Sequence, residues 1–478
     1  MTSIRIRFAA GLTAALFATL PLAGFAQRED TRPDVLVVGG TAAGVTAAVA
    51  AARRGETVTL VSDDDELGGI LTGAMMDQWD LNLAPDGRSV EGGIFDEIYD
   101  RLGDAFTPGA AARLFARMVA AQPRIDVVYD ERPVAVSTVP LASGDAIDDV
   151  TFRDARTGDL THLAAPYVVD ATDDADLAAL AGARYDVGRQ DSGIDDRTQA
   201  VTLMFTVKGV DWPALAAAYE PALDGAGGVL DRRAWGYSKT VAAYDALSPD
   251  VLVRDLNLGL MPDGEVTVNA IDVVGIDGLR AADLSRARRL SEREAPHLVD
   301  YLRERVAGFE RASVARFASD VYVRETRHVA GLERLDTADV WLGKIPADTI
   351  GLSSYPIDLH PVDATNGDAY APIRHVYGIP FGALVPRGIT NLVLAGPSIS
   401  ASHLASGSAR VIPTTIEEGE AAGVACAVAD RAGIDLAAVA RDASRIALLR
   451  RELAQEGALV GTPDGETRLR PSVLASRA

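Results

Sequence analysis

Asp34-Val35-Leu36-Val37-Val38-Gly39-Gly40-Thr41-Ala42-Ala43-Gly44, followed by a helix-patterned run from Val45 to Arg54, then Gly55 and Thr57-Val58-Thr59-Leu60-Val61, is the stretch that decides the fold. A short continuous apolar run reads as a strand buried on both faces. Val45, Ala48, Val49 and Ala52 recur at helical spacing on one face, and Gly55 stops the helix. The next apolar run returns as a second strand, which completes a βαβ unit. Gly39 permits the tight turn out of the strand, and Gly44 lets the helix pack close to the sheet. Gly40, Thr41, Ala42 and Ala43 bring backbone up to the helix N-terminus, where free N–H groups and the positive dipole end suit a diphosphate. The usual pattern is GxGxxG, and Thr41 stands at its middle glycine. An acid about 20 residues beyond the turn normally binds ribose hydroxyls. That position falls on Ser62, with Asp63 one residue later, so either supplies the contact; Asp64 and Asp65 read equally as a solvated acidic loop. With no arginine there, a 2′-phosphate is not expected.

Working outward, the 478-residue chain is 48% hydrophobic, ample for a large core and long for one ordinary unit. Its formal net charge of −22 argues against nucleic acid or an anionic lipid surface as partner. Only Lys208, Lys239 and Lys344 among the 46 basic residues are lysines, a skew that reads as codon bias or salt adaptation. The single cysteine, Cys426, lies in an Ala/Val-rich helical stretch and reads as a small buried apolar residue. One cysteine excludes an intrachain disulfide and a cysteine metal cluster, and the six histidines show no metal-ligand spacing, so no metal is expected. Residues 1–26 carry Arg5 and Arg7, then an apolar run from Phe8 to Leu20, and end Leu22-Ala23-Gly24-Phe25-Ala26. This is the pattern of a cleavable secretory signal and predicts a periplasmic or secreted protein with no stable membrane insertion after cleavage.

Further along stand Leu67-Gly68-Gly69-Ile70-Leu71-Thr72, Tyr167-Val168-Val169-Asp170-Ala171-Thr172-Asp173-Asp174-Ala175-Asp176, Tyr322-Val323-Arg324-Glu325-Thr326-Arg327-His328, Tyr355-Pro356-Ile357-Asp358-Leu359-His360, Asn391-Leu392-Val393-Leu394-Ala395-Gly396 and Gly407-Ser408-Ala409-Arg410-Val411-Ile412-Pro413-Thr414. Taken in this order with the opening turn, they resemble the FAD-dependent oxidoreductase family across residues 34 to 460. The family's glycine after Ala-Thr is Asp173 here, and its arginine after the last strand is Pro397. The resemblance implies an α/β fold: a Rossmann-like FAD-binding domain of glutathione-reductase type, with parallel sheet, helices and β-meander, split by an inserted α+β substrate domain. The expected divisions are a signal peptide at 1–26, a first FAD-binding segment at 33–185, a substrate or cap domain at 186–375, a second FAD-binding segment at 376–435, and a C-terminal helix and tail at 436–478. Pro133 to Val139, Val150 to Arg153 and His162 to Ala164 alternate as short strands and supply the meander. Trp235, Tyr237, Trp341 and Tyr355 fall in the insert.

The resemblance also implies how FAD is held. Gly39, Gly40 and Gly44 approach the diphosphate, and Val134 offers backbone near the adenine. Gly68, Gly69, Leu71 and Thr72 pass the flavin middle and ring. Ala171, Thr172 and Gly396 end buried strands beside the cofactor. Arg410 reaches flavin or substrate, and Pro413-Thr414 opens a helix whose N-terminus faces the flavin N1/O2 edge. For chemistry, hydride transfer to flavin N5 calls for a nearby proton acceptor. His403 is the better placed candidate and His360 the second; the plain alternative for each is a structural histidine. Arg327, like Arg410, suits an anionic-substrate clamp or a structural ion pair. An exported enzyme meets no NADPH pool, so a dehydrogenase or oxidase is expected, passing electrons from a small organic substrate to oxygen, quinone or a redox protein. The alternatives are a secreted FAD-fold binding protein without turnover, a carbohydrate-active lyase-like protein, and a single-Rossmann NAD enzyme. The second cofactor segment near Pro413 argues against the last of these.

Overall fold

In the computed structural model, which describes residues 32–365 and 369–461, the opening stretch forms β1 (Val35–Val38), α1 (Ala42–Arg53) and β2 (Val58–Val61). The expected signal peptide lies outside the described residues. α2 (Ile94–Leu102), α3 (Pro108–Ala120) and β3 (Ile125–Val128) follow. The antiparallel meander is β4 (Glu131–Leu141), β5 (Gly144–Asp154) and β6 (Leu160–Leu163), and β7 (Tyr167–Asp170) brings the chain back to the main sheet. That sheet is parallel throughout, in the order Leu392–Leu394, β7, β1, β2, β3. β1 is central and every residue of it is buried, which is why it reads Val-Leu-Val-Val without alternation.

α1 departs from the one-faced pattern of its sequence. All its residues but Arg53 are buried, because the helix Ile412–Ala432 covers the side turned away from the sheet. Gly419 and Gly423 allow this approach: a Cβ on either would run into the Ala43 or Ala47 carbonyl oxygen. Cys426 sits in this helix, fully buried among apolar neighbours, and burial raises its thiol well above the ordinary range. The C-terminal segment forms two helices, Leu436–Arg441 and Ala443–Gln455, with Ile446, Leu449 and Leu453 turned inward.

Between β7 and Leu392 the chain builds a six-stranded antiparallel sheet, with Phe205–Lys208, Gly228–Val229, Arg233–Gly236, Leu256–Leu260, Val266–Asn269 and Ser313–Phe317 as its strands. The helix Ala281–Arg305 follows the fifth strand in sequence, and its inner face joins the sheet in a second hydrophobic core formed by residues between Val201 and Ala312. The rest of the expected insert behaves differently. Val329, Leu335, Ile350, Ile357 and Leu359 pack into the first core with α1 and the parallel sheet. The chain from 318 to 360 therefore runs along the seam of the two cores, and the site is built there.

Candidate functional site

A cavity of about 670 Å³ opens at the C-terminal ends of β1, β2 and β7, where doubly wound folds bind nucleotides. Gly39, Thr41, Asp63, Val134 and Thr172 line it. Gly39 has φ of +115°, and a Cβ on it would strike the Ala171 carbonyl. A Cβ on Gly44 would strike the Gly39 carbonyl, well inside 3.0 Å. Thr41 replaces the missing glycine with a tie: its hydroxyl accepts from the Gly44 N–H at 3.1 Å as the α1 N-cap and donates to the Ala171 carbonyl at 3.0 Å. Gly39 and the Thr41 N-cap therefore bring the N-terminus of α1 to the edge of a cavity large enough for a dinucleotide, the helix end that suits a diphosphate. Of the two ribose candidates, Asp63 faces the cavity, whereas Ser62 is buried with its Oγ packed beneath Gly40.

Gly69 lines the cavity with Ile70, while Leu71 is buried behind them and the Thr72 hydroxyl donates to the Gly69 carbonyl. Gly396, at φ +127°, donates its N–H to Glu418 Oε2 at 3.0 Å, and its open side looks towards Asp173. Ala42, Ala43 and Gly40 are buried in the turn. Pro413 and Thr414 do open a helix, Ile412–Ala432, and the Thr414 hydroxyl accepts from Asn82 Nδ2 at 3.2 Å. Neither belongs to the large cavity's lining.

The lining is unusually acidic. Asp63, Asp64, Glu131, Asp173, Asp174, Asp176 and Asp320 face only Arg132 and Arg327. Burial, then the charges of Asp174, Asp63 and Asp64, push the Asp173 carboxyl up to about 7. Ionised, it opposes a diphosphate; protonated, it does not. FAD is therefore expected to dissociate more readily as pH rises through 7, by at most tenfold per pH unit for one linked group. In Asp173→Asn the dissociation constant, followed by flavin fluorescence from pH 6 to 8.5, should depend less steeply on pH, the remainder coming from Asp64, which burial also raises to about 7. An equally steep dependence in the variant would assign the effect to other groups.

A second, smaller cavity of about 80 Å³ lies next to the first. The segment 320–324 forms a common wall. Asp320, Val321 and Val323 face the large cavity, while Tyr322 and Arg324 face the small one. The segment after Gly69 does the same, giving Ile70 and Ala74 to one side and Met76, Gln78 and Asp80 to the other. Arg233, Asn257 and Asn269 come from the antiparallel sheet, and Tyr355, Asp358, His360 and Arg410 complete the chamber.

The predicted catalytic residues separate here. His360 lines the chamber: its Nδ1 lies 2.8 Å from Arg254 Nη2 and 3.1 Å from both oxygens of Asp272. Burial, then the nearby Arg324 charge, lowers it to about 4, so it is neutral at neutral pH. Burial alone would raise Asp272, but His360, Arg324 and Arg254 hold it well below the ordinary carboxylate range. His403 lines neither cavity. Its Nδ1 donates to Glu325 Oε1 at 2.7 Å, and His328 Nε2 donates to the same oxygen at 2.8 Å. Burial lifts Glu325, but these two hydrogen bonds, with the charges behind them, hold it at about 2. His403 is thus held by Glu325 and faces neither cavity. Arg327 lies on the rim of the large cavity, bound to the Asp174 carbonyl at 2.6 Å and Asp176 at 2.7 Å. Arg410 is buried, donating to Tyr322 OH at 2.9 Å and to the Asp358 carbonyl at 3.1 Å. Sequence reasoning passed over Arg324, Arg233, Asn257, Asn269 and Asp80. Tyr355, Asp358 and His360 were quoted as one motif, and the common facing of all three was its unread signal.

The chain matches the FAD dependent oxidoreductase family over residues 34–453. It belongs to that family, and its cofactor is FAD. Among solved structures it is similar to the p-nitrophenol 4-monooxygenase PnpA from Pseudomonas putida DLL-E4, at 10% identity and a TM-score of 0.45, covering 89% of this chain and 88% of that one. It is similar also to the flavin-dependent brominase Bmp2, at 10% identity and a TM-score of 0.45, covering 88% and 83%. A carotenoid phi-ring synthase of Chlorobaculum tepidum is 34% identical over 114 residues, which are 23% of this chain and 16% of that protein's length.

Proposed function

We propose that this enzyme is a dehydrogenase or oxidase that takes a hydride from a small polar organic substrate held in the 80 Å³ chamber. The observation that carries this reading is adjacency: residues 321–324 face the dinucleotide cavity and the chamber in turn, so the two spaces abut along this segment, and hydride transfer requires the flavin ring to reach the substrate at its edge. When bound, FAD supplies the hydride acceptor and passes the electrons to oxygen, quinone or a redox protein. The protein positions the groups. Gly39, Thr41 and the α1 N-terminus hold the diphosphate, Asp63 the ribose, and Val134 the adenine end. Tyr322, Arg324 and Arg410 orient the substrate. Asp80 and Tyr355 both line the chamber, and burial raises the Asp80 carboxyl, which suits it, once ionised, to accept a substrate hydroxyl proton. His360, neutral and tied to Asp272 and Arg254, keeps the chamber's polar wall in place. Residues 1–26 support a periplasmic or secreted location.

Anaerobic titration of the yellow protein with hydroxy acids, amino acids and polyols tests this. Bleaching of the flavin bands by one class is the expected result, and air reoxidation then separates oxidase from dehydrogenase. If no donor bleaches the bands but a reduced nicotinamide does, hydride transfer from a chamber substrate is the wrong reading.

A further inference from the structure

We propose that the small chamber is a carboxylate pocket and that the substrate is a small organic acid clamped by Arg324 and Arg410; this rests on the chamber being the substrate site. Both arginines line the chamber, and their side chains are only 1% and 4% exposed. Each leaves an Nε–H buried without an acceptor among the described residues. Buried guanidinium donors are seldom left unpaired, because the lost hydration is not returned. Their other nitrogens are committed. Arg324 Nη1 donates to the Ala200 carbonyl at 2.7 Å and to Thr202 at 3.0 Å, and Arg410 is held by Tyr322 and the Asp358 carbonyl. The Tyr322 ring lies against the Arg324 guanidinium at 4.7 Å and fixes its plane. These are rigid, preformed donors.

Charge points the same way. Three arginines, with Arg233, face two carboxyl groups, Asp80 and Asp358. Asp358 reaches Arg410 only at 3.7 Å, and the two carboxyl groups do not balance the three arginines even when both are ionised. The third nearby carboxylate, Asp272, is shared among Arg254 at 3.0 Å, Arg324 at 3.5 Å and His360 at 3.1 Å. Around the chamber four arginines, Arg254 included, therefore face three carboxylates, with two unpaired Nε–H groups sealed behind its wall, and this net positive charge is the complement of an oxyanion. A water needs about 10–15 Å³ of such volume, so 80 Å³ takes a carboxylate and a few more heavy atoms. That size suits an α-hydroxy or α-amino acid whose α-carbon carries the hydride.

The test is calorimetry on the flavin-loaded protein with glycolate, malonate and L-alanine, against glycolamide, glycerol and inorganic phosphate. A carboxylate should bind at least tenfold more tightly than its amide and than phosphate, and should perturb the flavin absorbance. Arg410→Lys keeps the charge but loses the planar fork, and should weaken that binding tenfold or more. Arg316→Lys, an exposed position on the cap sheet, should leave it unchanged. Should Arg410→Lys lose its flavin, Arg324→Lys serves in its place. Equal binding of acids and neutral analogues, tighter phosphate binding, or unchanged affinity in a flavin-replete clamp variant overturns the proposal. Bleaching by neutral donors without acid binding would sink the carboxylate pocket alone. Acid binding without any bleaching would sink hydride transfer alone.

Discussion

Gly44→Ala is expected to yield a chain that holds no flavin and is destabilised by about 3 kcal/mol, the upper end of the usual cost of overpacking. The added methyl would stand well inside 3.0 Å of the Gly39 carbonyl, which is backbone and has nowhere to go. Gly39 is fixed in turn at φ +115° against Ala171. α1 must therefore lift away from β1, and it cannot do so freely because Ile412–Ala432 packs on its far side through Gly419 and Gly423. The same shift carries the helix N-terminus off the diphosphate position. Gly55→Ala is the control: it also has a positive φ, +101°, but nothing lies within 4 Å of its added carbon. It should cost only the roughly 1–2 kcal/mol of a left-handed residue and keep its flavin. Urea midpoints and flavin content of both variants check this, and a flavin-replete Gly44→Ala protein contradicts it.

The second large effect is a loss of stability with rising pH. Burial pushes Glu91, Glu420 and Asp77 up to about 7, against ordinary values of 4.5, 4.5 and 3.8. Burial likewise raises Glu417 and Glu418 well above the ordinary carboxylate range. A raised carboxyl means that the native state binds more protons than the unfolded one between those values. Stability then falls as pH climbs from about 4.5 to 7, on the order of 3 kcal/mol per group at full effect. His360 and Glu325 have the opposite sign. Their pKa values are depressed, to about 4 and about 2, so their contribution is lost as pH falls below 6.5 and below 4.5 respectively. The raised groups outnumber them, which sets the maximum near pH 5. The urea midpoint of flavin-free protein should be higher at pH 5 than at pH 8. Glu420→Gln, whose amide oxygen can still accept from the Ile94 N–H, should flatten the slope. A midpoint that rises from pH 5 to 8 contradicts this.

These glutamates show where the sequence misleads. Ile416-Glu417-Glu418-Gly419-Glu420 has the look of a solvated helix face, yet all of it is buried. The reason is remote: Gly92, Leu352, Gly396 and Ile94 each bring a backbone N–H to that helix and need an acceptor there. No local pattern announces a partner 22 to 326 residues away. The βαβ opening was legible because a buried strand, a glycine turn and a helix are neighbours in sequence, and the meander was legible from its alternation. The small chamber was not. Its walls come from residues 76–80, 233, 257, 269, 322–324, 355–360 and 410, and pairing in the antiparallel sheet and along the seam joins them. Arg324 stands in a motif as His360 and Arg410 do, three residues before Arg327, but nothing local to that motif shows that Arg324 faces the chamber and Arg327 the large cavity. His403 was favoured because it lies in the chain just before the Pro413 helix. Chain proximity did not fix its direction, and it turns to Glu325.

Flavin content of the purified protein tests the central claim most directly: denature it, separate the released cofactor and measure FAD per chain. The account predicts close to one FAD per wild-type chain and none from Gly44→Ala. A colourless wild-type protein that releases no dinucleotide, and takes up none when FAD is supplied at pH 6, would contradict it.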